Sequence, residues 1–216
     1  MALIFSLSAE CGPEESTANQ FYQHFEQVKW LVSDPRHFAR KKWLLSDPRH
    51  FVRREWLVSY PRHFERRKWL LSSPYKSRYQ TDIFQDMEEN WWCRVCANNL
   101  SEVGITTPES AYMMTDLGIL FYQILRLTAS FRYALVGVEV DEFRTYSELM
   151  EDLPEWSIPG LVLAQNLTEG LETMPGFKLF NSTHIWQPYE GESSTPLLGS
   201  LDLKNQLDEL LTLATI

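Results

Sequence analysis

Arg132-Tyr-Ala-Leu-Val-Gly-Val-Glu-Val140 is the stretch that decides the fold class, because its apolar and β-branched residues predict the strongest strand of the chain. Before it, residues 107–127 begin with Thr-Pro-Glu-Ser and carry apolar residues at helical spacing, which predicts a helix. After it, the patterns predict helices over 145–153, 167–174 and 204–213, and short strands over 160–164, 178–180 and 183–187.

The N-terminal residues 1–10 are apolar but have no positively charged beginning, so they predict a buried strand and not a signal peptide. Because the predicted strands are few and short, we expect an α+β fold: a small mixed sheet with flanking helices, carrying an inserted run of short repeated helices. In this division residues 1–22 begin the host domain, residues 23–74 form the inserted module, and residues 75–216 are the main part of the host.

The inserted module is a tandem repeat of 13 residues in four copies: QHFEQVKWLVSDP (23–35), RHFARKKWLLSDP (36–48), RHFVRREWLVSYP (49–61) and RHFERRKWLLSSP (62–74). A Ser-x-Pro sequence favours the start of a new helix, since the residue before proline leaves the α region and proline suits the first helical position. We therefore expect short helices joined by tight corners, with an alternating strand and turn as the alternative. Removing three copies leaves a segment that predicts one ordinary helix.

Charge separates the repeat from the rest of the chain. Residues 28–78 contain 14 Lys and Arg against 4 Asp and Glu, a net charge of +10, whereas the remainder has 6 against 25, a net charge of −19. Such segregation points to an interaction between opposite charges. The basic module could contact its own acidic host, a second copy of the chain, a nucleic acid or, as the weakest alternative, an anionic membrane surface.

These observations favour a cytoplasmic protein without enzymatic activity that uses the repeat for protein interaction or self-association. Aromatic and arginine side chains dominate protein interfaces, so the expected interaction residues are Phe38, Arg40, Lys41, Trp43, Phe51, Arg53, Arg54, Trp56, Arg66, Arg67 and Trp69. Nucleic-acid binding through the same Arg, Lys and Trp side chains is the first alternative. We expect no cofactor, no metal and no small-molecule substrate.

The second alternative is thiol redox chemistry at Cys93 and Cys96. A Cys-x-x-Cys pair behind Trp92 resembles a thioredoxin-type site. However, the preceding residues 82–90 are acidic, and nearby carboxylates raise the pKa of a thiol. Two structural cysteines are therefore the favoured interpretation, and without further Cys or His at ligand spacing they do not predict zinc.

A possible acid–base group consists of Glu139, Asp141 and Glu142 at the end of the strongest strand, with His184 on a later strand. Any acidic protein offers such a set by chance, so we assign it no catalytic role. The chain has no Gly-rich phosphate loop, no Gly-x-Ser-x-Gly and no His-Glu-x-x-His sequence. The repeated histidines are explained by duplication of the unit.

Overall fold

The computed structural model describes residues 4–33, 79–97, 105–128, 130–140, 143–152, 157–169, 174–194 and 201–214. Its strands are β1 (Phe5–Glu10), β2 (Tyr79–Gln85), β3 (Trp91–Ala97), β4 (Tyr133–Val138), β5 (Val162–Ala164), β6 (Lys178–Leu179) and β7 (His184–Trp186). Its α-helices are α1 (Glu15–Ser33), α2 (Pro108–Leu125), α3 (Tyr146–Asp152) and α4 (Leu201–Ala214).

All seven described strands belong to one sheet in the order β2-β3-β1-β4-β5-β7-β6, and every neighbouring pair is antiparallel. The α+β class is confirmed, but the expectation of a small mixed sheet is wrong. The strands not predicted are β2, where polar residues interrupt the strand pattern, and β3, which was considered only for its two cysteines. They form a hairpin that pairs with β1 at Leu7 opposite Val95.

The N-terminal strand β1 is central, lying between β3 and β4, and all six of its residues are buried. One face of the sheet packs against α1 and α2, with α4 packed on α2, and the core there includes Leu7, Phe21 and Phe121. A second, smaller core covers the other face around Trp92, Tyr133 and Leu149 of α3. Burial on both faces explains why β4 is apolar throughout and not alternating.

Helix α2 confirms the helix predicted over 107–127. Thr107 accepts a hydrogen bond from the backbone N–H of Ser110, the Ser110 hydroxyl oxygen accepts one from the N–H of Thr107, and Pro108 occupies the first turn. Reciprocal bonds of this kind satisfy N–H groups that the first turn of a helix leaves without partners. The helix is buried over most of its length because it lies between the sheet and α4.

Residues 23–33 of the first repeat copy lie within α1, which crosses the expected boundary between residues 22 and 23 and ends at Ser33. Residues 34 and 35 of this copy lie outside the described residues. The expected helices of copies two to four lie outside the described residues. Of the helix predicted over 167–174, residues 167 and 168 belong to a 3-10 turn, Gln165–Thr168, and not to an α-helix, whereas residues 170–173 lie outside the described residues. The other elements predicted between residues 133 and 214 are found within a few residues of their expected limits.

None of the helices within the described ranges combines the length and the apolar character needed to cross a membrane.

Candidate functional site

The expected interaction residues are not placed by the structure. All eleven lie between residues 34 and 78, outside the described ranges: Phe38, Arg40, Lys41, Trp43, Phe51, Arg53, Arg54, Trp56, Arg66, Arg67 and Trp69. Their role in binding therefore stays a prediction.

The first repeat copy shows how one unit is used by the host. Phe25, the counterpart of Phe38 and Phe51, is fully buried and packs against Phe21 and Phe121. Two residues later Gln27, the counterpart of an arginine in each later copy, is exposed. In this copy the phenylalanine therefore packs on the domain, and the position that becomes basic faces solvent.

Cys93 and Cys96 are both reduced and buried in β3. Cys93 lies opposite Ala9 and Cys96 opposite Ser6, so both residues are in regular strand pairing and their side chains point to opposite faces of the sheet. Three residues of strand separate their Cα atoms by roughly 10 Å, beyond the reach of a disulfide at about 7 Å. Burial raises the pKa of the Cys93 thiol to about 12. In this strand geometry Cys93 and Cys96 cannot form a disulfide with each other.

The possible acid–base group is not assembled. His184 lies in β7 opposite Ala164, whose backbone N–H binds the carbonyl of Arg132, just before β4 begins. Glu139 follows the other end of β4, seven residues from Arg132, which is roughly 20 Å in an extended strand. Asp141 and Glu142 lie outside the described residues. His184 and Glu139 are therefore too far apart to belong to one site.

His184 is a core residue whose polar atoms are already bonded. Its ring stacks on Phe131 at 4.2 Å, Nε2 lies 3.0 Å from the Phe131 carbonyl, and Nδ1 lies 2.8 Å from the Thr183 hydroxyl. Because the carbonyl only accepts, Nε2 carries the proton, and Nδ1 of the neutral ring can only accept from the Thr183 hydroxyl, which also lies 3.2 Å from the acceptor Oδ1 of Asn181. Burial lowers the pKa of His184 from 6.5, and the Phe131 carbonyl opposes that fall, so the ring is neutral at pH 7.

We expect acidification to destabilise the fold through His184. Below pH 6.5 the unfolded chain binds a proton that the folded ring resists, so the free energy of unfolding falls as pH decreases toward the lower folded pKa, by at most about 1.4 kcal/mol per pH unit for one proton. Denaturant unfolding between pH 7 and 5 should show a shallower fall for His184→Gln than for the wild type. An equal slope in both proteins would contradict this assignment.

A buried ion pair joins β1 to the start of β4. The side chain of Glu10 is 0% exposed, and it accepts bonds from Arg132 Nε at 2.6 Å and Nη2 at 2.5 Å and from the N–H of Gly12 at 2.9 Å. The guanidinium lies 4.5 Å from the ring centre of Tyr146. Burial raises the pKa of the Glu10 carboxyl, and Arg132 opposes that rise. Burial lowers the pKa of Arg132, but Glu10, with smaller contributions from Tyr133 and Tyr146, outweighs burial, so that the pKa is raised.

Arg132 also borders a cleft at the same end of the sheet. The cleft has a volume of about 490 Å³, and its polar lining includes Arg132, Gln165, Asn166, Glu169, Thr183 and His184. We call it the Arg132 cleft. No sequence pattern predicts this cleft, although one signal is present. Glu10 ends the predicted N-terminal strand and Arg132 begins the strongest predicted strand, and each is an isolated charge beside apolar residues.

An acidic surface lies where the β2–β3 turn meets α3. The backbone N–H of Ser147 bonds to the carboxylate of Glu88 at 3.2 Å, and Met87 in the same turn is 92% exposed. Exposed Glu89, Glu148 and Glu151 belong to the same two elements. We call Met87, Glu88, Glu89, Glu148 and Glu151 the turn–α3 surface.

Within the described ranges, no three His, Cys, Asp or Glu side chains are grouped so that they could hold a metal ion.

Comparison with known proteins finds no matching family model, no similar curated protein and no similar solved structure.

Proposed function

We propose that this is an interaction protein without enzymatic activity, which self-associates when the basic repeat of one copy binds the acidic host of another. The observation that carries the proposal is the opposite charge of the two parts, +10 for residues 28–78 and −19 for the remainder. The 6 basic residues of the host cannot neutralise its 25 acidic residues, and most of these 6 already bind carboxylates of the host.

Four of these six host cations bind host carboxylates. Besides Arg132 with Glu10, Arg94 lies 3.0 Å from Asp82, Arg144 lies 2.9 Å from Asp152, and Lys204 lies 2.7 Å from Asp208. The host therefore offers an acidic surface to a cationic partner, and the repeat is the strongly cationic segment of the chain. Long-range attraction of this kind guides association and weakens with salt.

The turn–α3 surface has the chemistry that suits the repeat. Its glutamates match Arg and Lys, and the exposed thioether of Met87 suits contact with an aromatic ring. Glu151 lies near the C-terminal end of α3, where a negative charge opposes the helix dipole, so a cation bound there would be stabilising. Hydrogen bonds from Thr145 and Ser147 lower the pKa of Glu88, which keeps that carboxylate ionised.

We expect the full chain to form dimers or larger assemblies in roughly 50 mM NaCl and to dissociate in roughly 500 mM NaCl. Replacing Arg40, Arg53 and Arg66 by glutamine should weaken association about tenfold, since three surface charge contacts of about 0.5 kcal/mol each sum to about 1.5 kcal/mol. Met87→Ser with Glu151→Gln should weaken it by a similar factor. Sedimentation equilibrium at both salt concentrations measures these changes.

Glu190→Gln is the matched control, because it removes one exposed host charge outside the turn–α3 surface. A chain that stays monomeric at about 200 μM in the low-salt buffer, or whose association is indifferent to the arginine substitutions, would rule the proposal out. If such a monomer instead binds an oligonucleotide with an affinity that falls steeply with salt, the nucleic-acid alternative is favoured.

A further inference from the structure

We propose that the outer edge of β2 pairs with β2 of a second copy of the chain, in antiparallel orientation about a two-fold axis at Ile83. This inference rests on the self-association proposed above and assigns the place where the two copies meet. β2 (Tyr79–Gln85) is the last described strand on its side of the sheet. All seven of its residues pair with β3 in unbroken register, so its other edge is long enough to accept a further strand.

The outward backbone groups of β2 belong to every second residue. The N–H of Asp86, directly after β2, bonds to the carbonyl of Asn90, directly before β3, at 2.9 Å. Bonds between antiparallel strands recur at alternate residues, so the backbone N–H and C=O groups of Thr81, Ile83 and Gln85 point away from β3. No described residue hydrogen-bonds to these groups, which are therefore available to another strand.

β2 lacks the features that protect an edge strand. Protected edges are commonly short, contain Lys or Pro, or carry a charge that opposes pairing. β6 (Lys178–Leu179), at the other end of the sheet, has two residues and an exposed lysine. β2 has seven residues with neither Lys nor Pro, and its one charged residue, Asp82, is bound to Arg94 at 3.0 Å. An edge of this kind favours pairing with a further strand.

A two-fold axis at Ile83 gives a register in which no like charges meet. Ile83 of one copy lies opposite Ile83 of the other, and Thr81 lies opposite Gln85, so the outward backbone groups of these residues bond to one another. Ile83 packs partly on the core beneath α1 and α2, and the two copies of this side chain cover each other. An axis at Asp82 would instead set two Asp82 carboxylates side by side, which is unfavourable.

A second copy suits this edge because of the charges at its two ends. The C-terminal end of β2 leads into the turn that carries exposed Glu88 and Glu89, part of the turn–α3 surface. The N-terminal end follows residues 34–78, which lie outside the described ranges and whose last charged residues are Lys76 and Arg78. Antiparallel pairing about a two-fold axis brings the N-terminal end of each copy to the acidic turn of the other. The pairing therefore directs each repeat toward the surface that we propose it binds.

Cysteine cross-linking tests the register. In the proposed pairing the Cα atoms of Thr81 and Gln85 from different copies are about 5.5 Å apart, which a disulfide can span, whereas within one chain they are about 13 Å apart. Thr81→Cys/Gln85→Cys, treated with glutathione disulfide in roughly 50 mM NaCl, should give a covalent dimer on a non-reducing gel. Either single variant should stay monomeric on that gel, and an equimolar mixture of the two should give the dimer. The three native cysteines are buried and should not compete.

Proline at position 81 tests the pairing without a cross-link. Thr81→Pro removes an N–H that points away from β3, so the hairpin keeps its own hydrogen bonds. Association should weaken about tenfold, because each dimer loses two hydrogen bonds between the copies. Thr81→Val keeps the N–H, is the matched control and should associate like the wild type. Sedimentation equilibrium in roughly 50 mM NaCl measures both variants.

Two results would overturn the pairing at β2: no covalent dimer from the double cysteine variant, or equal association of Thr81→Pro and Thr81→Val. An edge covered by a segment of its own chain gives the first result. If association then still weakens when Arg40, Arg53 and Arg66 are replaced, self-association through the repeat stands without the β2 contact. A chain that is monomeric at about 200 μM in low salt rules out both.

Discussion

Replacing Arg132 by methionine should lower the free energy of unfolding by about 3–5 kcal/mol, because it leaves the buried Glu10 carboxylate without its cation. Only the backbone N–H of Gly12 would still bind that carboxylate among the described residues. The double variant Glu10→Leu/Arg132→Met should recover most of the loss, since an apolar pair avoids the cost of burying two charges. Urea denaturation of the two single variants and the double variant measures the coupling.

The loss in Arg132→Met should depend on pH. Burial already raises the pKa of Glu10, and without Arg132 it rises further, so the folded state then favours the protonated acid. A raised folded pKa gives a contribution to stability that is present below the unfolded value of 4.5 and lost as pH rises through the folded value. The defect should therefore be larger at pH 7 than at pH 4.5.

Arg144→Met is the matched control for this pair. Arg144 binds Asp152 at the surface, with 43% of its side chain exposed, so its removal should cost no more than about 1 kcal/mol. Equal losses in Arg132→Met and Arg144→Met would show that the Glu10 pair is no stronger than a surface pair.

Gly160→Ala should lower the free energy of unfolding by about 3 kcal/mol. Gly160 has φ +87°, in the left-handed region that favours glycine, and a Cβ atom there would overlap the hydroxyl of Tyr122. That hydroxyl donates to the Gly160 carbonyl at 2.8 Å and accepts from the N–H of Val136 at 3.3 Å. Backbone strain contributes about 1 kcal/mol and overpacking about 2 kcal/mol.

Two comparisons separate these causes. Gly176→Ala has a similar φ of +83°, but its nearest neighbour is the flexible end of Gln187 at 3.3 Å, so its cost should be about 1 kcal/mol. Tyr122→Phe removes the hydroxyl, and in that background Gly160→Ala should also cost about 1 kcal/mol. Chemical denaturation measures the loss of free energy of unfolding that Gly160→Ala causes in each background. If this loss is the same in the wild type and in Tyr122→Phe, the proposed overlap with the hydroxyl is excluded.

Much of the host fold could be predicted from local patterns. The apolar run over 132–140, the capped helix after Thr107 and the leucine-spaced helix near the C-terminus are all present in the structure. Each of these elements can be predicted from its own segment alone, because burial on one or both faces of an element determines where its apolar residues fall along the chain.

The hairpin of β2 and β3 could not be predicted in that way. The sequence around Asp82 and Arg94 has no clear strand pattern, yet these two residues lie opposite each other in the hairpin and form an ion pair. The spacing of Cys93 and Cys96 resembles a redox motif, whereas strand pairing puts the two thiols on opposite faces of the sheet. Spacing along a chain has chemical meaning only once the backbone conformation is known.

The candidate functional features, like the fold, were predicted only in part from the sequence. By itself the sequence determined the four-copy repeat, the opposite charge of its host and the α+β class, because periodicity and composition are properties of a linear chain. Tertiary structure alone decided that Glu10 and Arg132, 122 positions apart, share a buried ion pair beside a cleft. The physical reason is that burial and pairing depend on which strands become neighbours, and neighbouring strands are selected by the packing of the whole sheet.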